Sequence, residues 1–139
     1  MFACLAALAV ATAPMTLPAL ASQVQTEAAS LTREAPKAAT TAGFDLKLTH
    51  FADTAMTLST TLRAAGAPGD LPCIFKGISE DARAQAETLK AAQTKLDRQM
   101  ALDELLVLLD DAQALAPQAA NLAAAAPDPT DPVTANKGH

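Results

Sequence analysis

The sequence predicts an all-α fold, a small antiparallel bundle of three helices, or of four, between a flexible N-terminal tether and a disordered C-terminal tail. Three observations lead to this prediction. Half of the 139 residues are hydrophobic but only 3% are aromatic, so the core must consist mainly of Leu, Ala, Ile and Met, most of which favour helix. Apolar residues recur with the 3.6-residue period of amphipathic helices. Gly and Pro cluster between the periodic segments.

The first 21 residues have the composition of a secretory signal peptide. They contain no Lys, Arg, Asp or Glu, and they end in Ala19-Leu20-Ala21, the small-x-small pattern read by signal peptidases, although the usual basic start is missing. Pro14 and Pro18 interrupt the segment before it reaches the roughly 20 apolar residues that a membrane-spanning helix needs. We therefore predict a signal peptide over residues 1–21, a periplasmic or secreted protein, and no membrane span after cleavage.

Residues 22–44 are expected to form a flexible tether. Until its last residue the segment has only Val24 and Leu31 as large apolar side chains, so it can bury little surface. The alternative within it is a short helix over residues 25–34, ended by Pro36 because proline disfavours helix in the residue before it.

The helical bundle is predicted to span residues 45–116. Its first long helix covers about residues 45–65 and is ended by the turn residues Gly66 and Pro68. The second begins at Asp70, a suitable N-cap. The residues of these two helices that are expected to face the core are Leu48, Phe51, Ala52, Ala55, Leu58, Ser59, Leu62, Ile74, Phe75, Ile78, Ala82, Ala86 and Leu89.

A change in the phase of the apolar stripe predicts where the second helix ends. Ile78, Ala82, Leu89, Leu96 and Met100 share one direction at about 100° per residue. Five later residues point about half a turn away, namely Leu102, Leu105, Leu106, Leu109 and Ala112. We therefore predict a break within residues 93–101, where Thr94 and Asp97 have the spacing of a capping box.

The third helix is then predicted over about residues 95–115, ending before Pro117. Residues 117–139 are expected to form an Ala/Pro-rich disordered tail. The alternative is that residues 121–126 add another helical turn or two, in which case Pro127, Pro129 and Pro132 leave the rest, up to His139, disordered.

Composition argues against several classes of function. The net charge of −5 opposes binding to nucleic acid, and without Trp or Tyr the chain has no aromatic platform for stacking bases. It also lacks the His-x-x-x-His, Cys-x-x-Cys and Gly-x-Ser-x-Gly patterns of metal and hydrolytic sites. The acidic pairs Glu80-Asp81, Asp103-Glu104 and Asp110-Asp111 are expected on solvated helix faces. We predict no enzymatic activity and no cofactor.

Cys73 is the candidate functional residue, since signal cleavage would leave it as the single cysteine of an exported protein. On a helix it points about 160° from the stripe that contains Ile78, and Gly77 leaves space beside it. The positive end of the helix dipole and Lys76 attract negative charge at this position, whereas Asp70 opposes it. The alternative is a small apolar side chain packed under the N-terminal tether or beside the preceding loop.

The leading functional hypothesis is an exported helical protein that acts through protein–protein contact, as an adaptor, an accessory subunit or a chaperone-like module. Its partner would be another protein or a second copy of the chain, because the core is short of bulky residues. The alternative is a thiol-redox or ligand-carrying protein that uses Cys73. A third hypothesis is haem binding through His50 with Met56 or Met100, which the absence of a Cys-x-x-Cys-His motif disfavours.

Overall fold

The computed structural model describes residues 15–38 and 43–125, with side chains up to residue 122, and it confirms an all-α bundle. This part of the chain forms four helices and no strand. They are α1 (Leu17–Glu34), α2 (Phe44–Ala64), α3 (Leu71–Ala91) and α4 (Lys95–Ala125). A short 3-10 turn, Ala35–Lys37, follows α1 directly.

Each helix packs mainly against two others, in the cyclic order α1, α2, α3, α4 and back to α1. Successive helices run antiparallel. The Asp45 carboxylate near the start of α2 lies 4.0 Å from Lys90 Nζ near the end of α3, and the Lys47 ammonium of α2 lies 2.8 Å from Glu34 at the end of α1. The chain is therefore an up-down-up-down four-helix bundle.

Two buried serines connect α2 and α3. Ser59 Oγ donates a hydrogen bond to the Pro72 carbonyl at 2.5 Å, and Ser79 Oγ donates one to the Ala52 carbonyl at 2.6 Å. Both hydroxyls are satisfied, as buried polar groups require. Because each bond joins a side chain to the backbone of the other helix, together they fix how far one helix can slide along the other.

Leucine and alanine dominate the core, as the composition predicts, together with three phenylalanines, Phe44, Phe51 and Phe75. Of the other residue types expected there, Ile78 is buried, but none of the methionines in the described residues is. Most residues expected to face the core of α2 and α3 are buried, but Ile74 is exposed and Leu89 is only partly buried. The largest fully buried side chains are Phe51, Phe75, Leu48, Leu58, Leu62, Leu105, Leu109, Val24 and Ser79.

The predicted break between the last two helices is confirmed. α3 ends at Ala91 and α4 begins at Lys95. Thr94 Oγ1 accepts a hydrogen bond from the Asp97 amide at 3.0 Å, and the Thr94 carbonyl accepts one from the Arg98 amide at 3.2 Å. Thr94 therefore caps α4, as the residue spacing indicates.

The prediction of a flexible tether over residues 22–44 is wrong for the part that the structure describes. Residues 22–34 belong to α1, which packs along α4 and α2. Val24, Ala28 and Leu31 are buried at the spacing of one helix face, so alanines supply much of the surface that the helix buries. The prediction counted only large side chains, whereas a neighbouring helix can approach closely at alanine. Residues 39–42 lie outside the described part.

The predicted end of the last helix before Pro117 is also wrong. α4 continues to Ala125, with Pro117 inside it. Proline has no N–H to offer the Gln113 carbonyl one turn earlier, which weakens a helix. Ala116 and Ala119 on either side of it are nevertheless buried in the bundle, and this packing holds the helix together. Of the predicted disordered tail, residues 126–139 lie outside the described part.

The predicted boundary after Ala21 falls within α1, which begins four residues earlier, at Leu17. Residues 1–14 of the predicted signal peptide lie outside the described part. Among the helices of the described residues, none has an apolar stretch long enough to cross a membrane.

Candidate functional site

Cys73 lies in the first turn of α3 and is exposed. Phe75 and Ile78 of the same helix are buried, so the thiol points away from the core, as its place on the helix predicts. The alternative of a cysteine buried under the N-terminal segment does not occur, because α1 packs elsewhere, against α4 and α2. The thiol can therefore be reached from solvent.

The predicted surroundings of Cys73 are open. Asp70 precedes α3 as N-cap residue, but its side chain makes no capping hydrogen bond. Lys76 Nζ lies 3.8 Å from Glu80 Oε1, so the lysine pairs weakly along the helix. A side chain added at Gly77 would meet nothing within 4 Å. Asp70 and Lys76 are exposed like the cysteine, and Gly77 is partly exposed.

A second feature is an exposed apolar surface on α4, which we call the α4 apolar face. It consists of Leu96, Met100 and Val107, whose residues are 69%, 57% and 64% exposed. At about 100° per residue the three side chains point within about 40° of one another. Leu105 and Leu109, which are fully buried, point to the opposite side of the helix. α4 therefore has two apolar faces, and the bundle covers one of them.

A shallow groove of about 400 Å³ adjoins this face between the end of α3 and the start of α4. Its walls carry small side chains and two carboxylates, and Met100 stands at its border. The lining residues are Thr88, Ala91, Ala92, Asp97, Met100, Ala101 and Glu104. A side chain of another protein that binds the α4 apolar face could fit into this adjoining groove.

A third feature lies between α1 and α2, around a contact between a histidine and a carboxylate. His50 Nε2 is 2.9 Å from Glu27 Oε1, which also accepts a hydrogen bond from Gln23 Nε2 at 3.2 Å. The second oxygen of Glu27 is shielded from solvent and has no hydrogen-bond partner. An open groove of about 340 Å³ beside the pair is lined by Leu46 and Lys47 among others.

His50 and Met100, two of the residues considered as haem ligands, lie in different grooves. His50 lines the grooves between α1 and α2, whereas Met100 borders the groove between α3 and α4. The three acidic pairs are exposed, as predicted. Within residues 15–38 and 43–125, no group of three His, Cys, Asp or Glu side chains is placed to hold a metal ion.

Sequence reasoning found Cys73 but missed the α4 apolar face. The sequence pattern places Leu96 and Met100 on the same side as the apolar stripe of α3, which would make them core residues. The correct signal is the phase of α4 itself. Counted from Leu105, Leu96 and Val107 lie about half a turn away, on the side that the bundle leaves open. Glu27 was missed because its segment was predicted to be a tether.

No protein-family model matches the chain, and comparisons with curated proteins and with solved structures give no match.

Proposed function

We propose that this four-helix bundle is exported and works through protein–protein contact, as an adaptor, an accessory subunit or a chaperone-like module. The α4 apolar face carries the proposal. Large apolar residues that stand singly on a surface are ordinary, but Leu96, Met100 and Val107 share one face of one helix. Exposed apolar residues along one helix face beside a groove are a common way for one protein to bind another, and here the exposed Asp103 lies between Met100 and Val107 on the same face.

The size of this face suits a limited contact. Full burial of a Leu, Met or Val side chain contributes roughly 1.5–3 kcal/mol, and association must first offset the loss of rotational and translational freedom. Three such side chains can anchor a complex. Hydrogen bonds at the edge of the interface would then add to the binding. Asp103, between Met100 and Val107, and Asp111, one turn after Val107, are exposed and provide acceptors for such bonds.

Export is supported by the uncharged, apolar N-terminal segment and its small-x-small pattern. The two parts of the proposal are independent, since a protein-binding bundle can act in any compartment. Location can be tested by cell fractionation, whereas contact is tested by substitution on α4.

Changing Leu96, Met100 and Val107 together to Gln is expected to abolish self-association or partner capture without unfolding the bundle. Each side chain is mostly exposed, so the free energy of unfolding should change by about 0.5 kcal/mol or less per site. The measurements are molar mass by light scattering and cross-linking in the native cell envelope.

The matched control is Leu46→Gln, which removes an equally exposed leucine from α2. It should leave both readouts unchanged. If the wild-type protein is a monomer at all concentrations and its cross-linked partners are the same in the triple variant, the α4 apolar face is not a binding surface.

A second candidate function rests on the exposed thiol of Cys73. Its thiolate could attack a disulfide of a small molecule or a protein, forming a mixed disulfide and releasing the other sulfur as a thiol. Because the side chain is exposed in the first turn of α3, no packed side chain has to move before a disulfide can reach the sulfur.

The native protein is therefore expected to react with glutathione disulfide, so that Cys73 forms a mixed disulfide with one glutathione and the other glutathione is released. Unfolding in urea should raise the rate of this reaction only modestly. Intact mass spectrometry follows the adduct, and Cys73→Ser serves as control. A thiol that reacts only after denaturation would remove this candidate.

A further inference from the structure

The solvent side of α4 carries four carboxylates beside its apolar face. They belong to Asp103, Glu104, Asp110 and Asp111, and all four residues are exposed. At about 100° per residue, Asp103 and Asp110 point about 40° and 60° to one side of the centre of the α4 apolar face. Glu104 and Asp111 point about 60° and 40° to the other side. Negative charge therefore lies on both sides of the apolar residues.

These four carboxylates have no cation of their own within the described part of the chain. None of them takes part in an ion pair between described residues. From residue 99 to residue 125, α4 contains no Lys, Arg or His. The cations of the adjacent α3 form their ion pairs with carboxylates of α2 or of α3 itself. These cations are Lys76, Arg83 and Lys90.

Two of the four carboxylates accept hydrogen bonds from neutral amides. Gln99 Nε2 donates a hydrogen bond to Asp103 and Gln85 Nε2 donates one to Glu104, both at 2.8 Å. A neutral amide orients a carboxylate but does not cancel its charge. The surface around the α4 apolar face therefore attracts positive charge.

We propose that the partner of the α4 apolar face is a basic amphipathic helix of another protein, with Lys or Arg on both sides of its apolar stripe. The inference rests on the protein-binding role proposed above. Leu96 and Val107 lie about three turns apart, or about 16 Å along the helix axis, a length that one partner helix can cover. Its cations would pair with the flanking carboxylates, and the groove lined by Asp97 and Glu104 can take one of them.

The same charges disfavour a second copy of this chain as the partner. A symmetric contact between two α4 apolar faces would place the four carboxylates of one copy against the four of the other, and like charges in contact oppose association. The net charge of −5 acts in the same direction at longer range. A basic helix meets the opposite sign in both respects.

Three synthetic peptides test the charge of the partner against the full-length protein. Each is a helix-forming peptide of about 18 residues with leucines at the spacing of Leu96, Met100 and Val107, and the residues beside the leucines are Lys, Gln or Glu. Fluorescence anisotropy of the labelled peptides gives the Kd. We expect the Lys peptide to bind about tenfold more tightly than the Gln peptide, and the Glu peptide more weakly than both. Added salt should reduce this preference, because it screens exposed charges.

Two pairs of substitutions locate the charge that selects the Lys peptide. Changing Asp110 and Asp111 together to Asn should lower its advantage over the Gln peptide from about tenfold to about threefold. The matched control changes Glu80 to Gln and Asp81 to Asn, an exposed acidic pair of α3, and should leave the advantage unchanged. The triple Gln variant of the α4 apolar face should bind none of the peptides.

Four results would overturn the inference. Equal affinities for the three peptides, lost in the triple variant, would show a binding face whose partner is not selected by charge, and the proposed function would stand. Binding of the Lys peptide that survives in the triple variant would place its site elsewhere. A wild-type dimer that the triple variant dissociates would make a second copy the occupant. If no peptide binds to the wild type, the partner class is wrong, and the proposed function fails with it only where the triple variant also keeps its cross-links.

Discussion

Phe51→Ala is expected to lower the free energy of unfolding by about 3–5 kcal/mol. Phe51 lies in the middle of α2 and is fully buried in the cluster to which all four helices contribute. Removing the ring loses its transfer free energy and leaves a cavity that the surrounding helices can fill only in part. The measurement is a urea unfolding curve followed by circular dichroism, compared with wild type.

Leu46→Ala is the matched control for this prediction. It removes a large apolar side chain from the same helix, but Leu46 is exposed, so the change should stay within about 0.5 kcal/mol. Equal effects of the two substitutions would mean that Phe51 is not in the core of this bundle.

Val24→Asp is expected to unfold the protein or to destabilise it by about 3–5 kcal/mol. Val24 is fully buried on α1, and the carboxylate that replaces it would lie within the hydrophobic cluster of the four helices. The consequence depends on α1 being an integral helix of the bundle. Thermal unfolding at neutral pH measures it.

Gln25→Asp is the control, because it introduces the same carboxylate at the next position of α1, where the side chain is exposed. Its effect should lie within about 0.5 kcal/mol. Should Val24→Asp prove as stable as Gln25→Asp, α1 would not contribute to the core, and the tether interpretation of this segment would return.

The sequence predicts the two central helices well because their signals are local. Gly66 and Pro68 end α2, and the phase change near Thr94 separates α3 from α4. The errors concern the first and the last helix of the chain. α1 and the end of α4 bury alanines such as Ala28 and Ala116, which carry little surface of their own and gain burial only when another helix lies against them.

The candidate sites divide in the same way. The angle between Cys73 and Ile78 on a single helix predicts that the thiol points away from the α3 stripe, but only the packing of the other segments decides that it is exposed. The α4 apolar face could not be recognised in that way. Leu96 and Met100 become surface residues only when α4 turns Leu105 and Leu109 toward the bundle, a choice that depends on the other three helices.

By itself, then, the sequence determined the all-α class, the extents of α2 and α3, and the break before α4. These features depend on helical periodicity, caps and turn residues within a few positions of one another. Only the tertiary structure decided that α1 completes a four-helix bundle, that α4 passes through Pro117, and which apolar face of α4 stays uncovered. The physical reason is that a small side chain is buried only when a second helix packs against it. The sequence of one segment does not show which helix that will be.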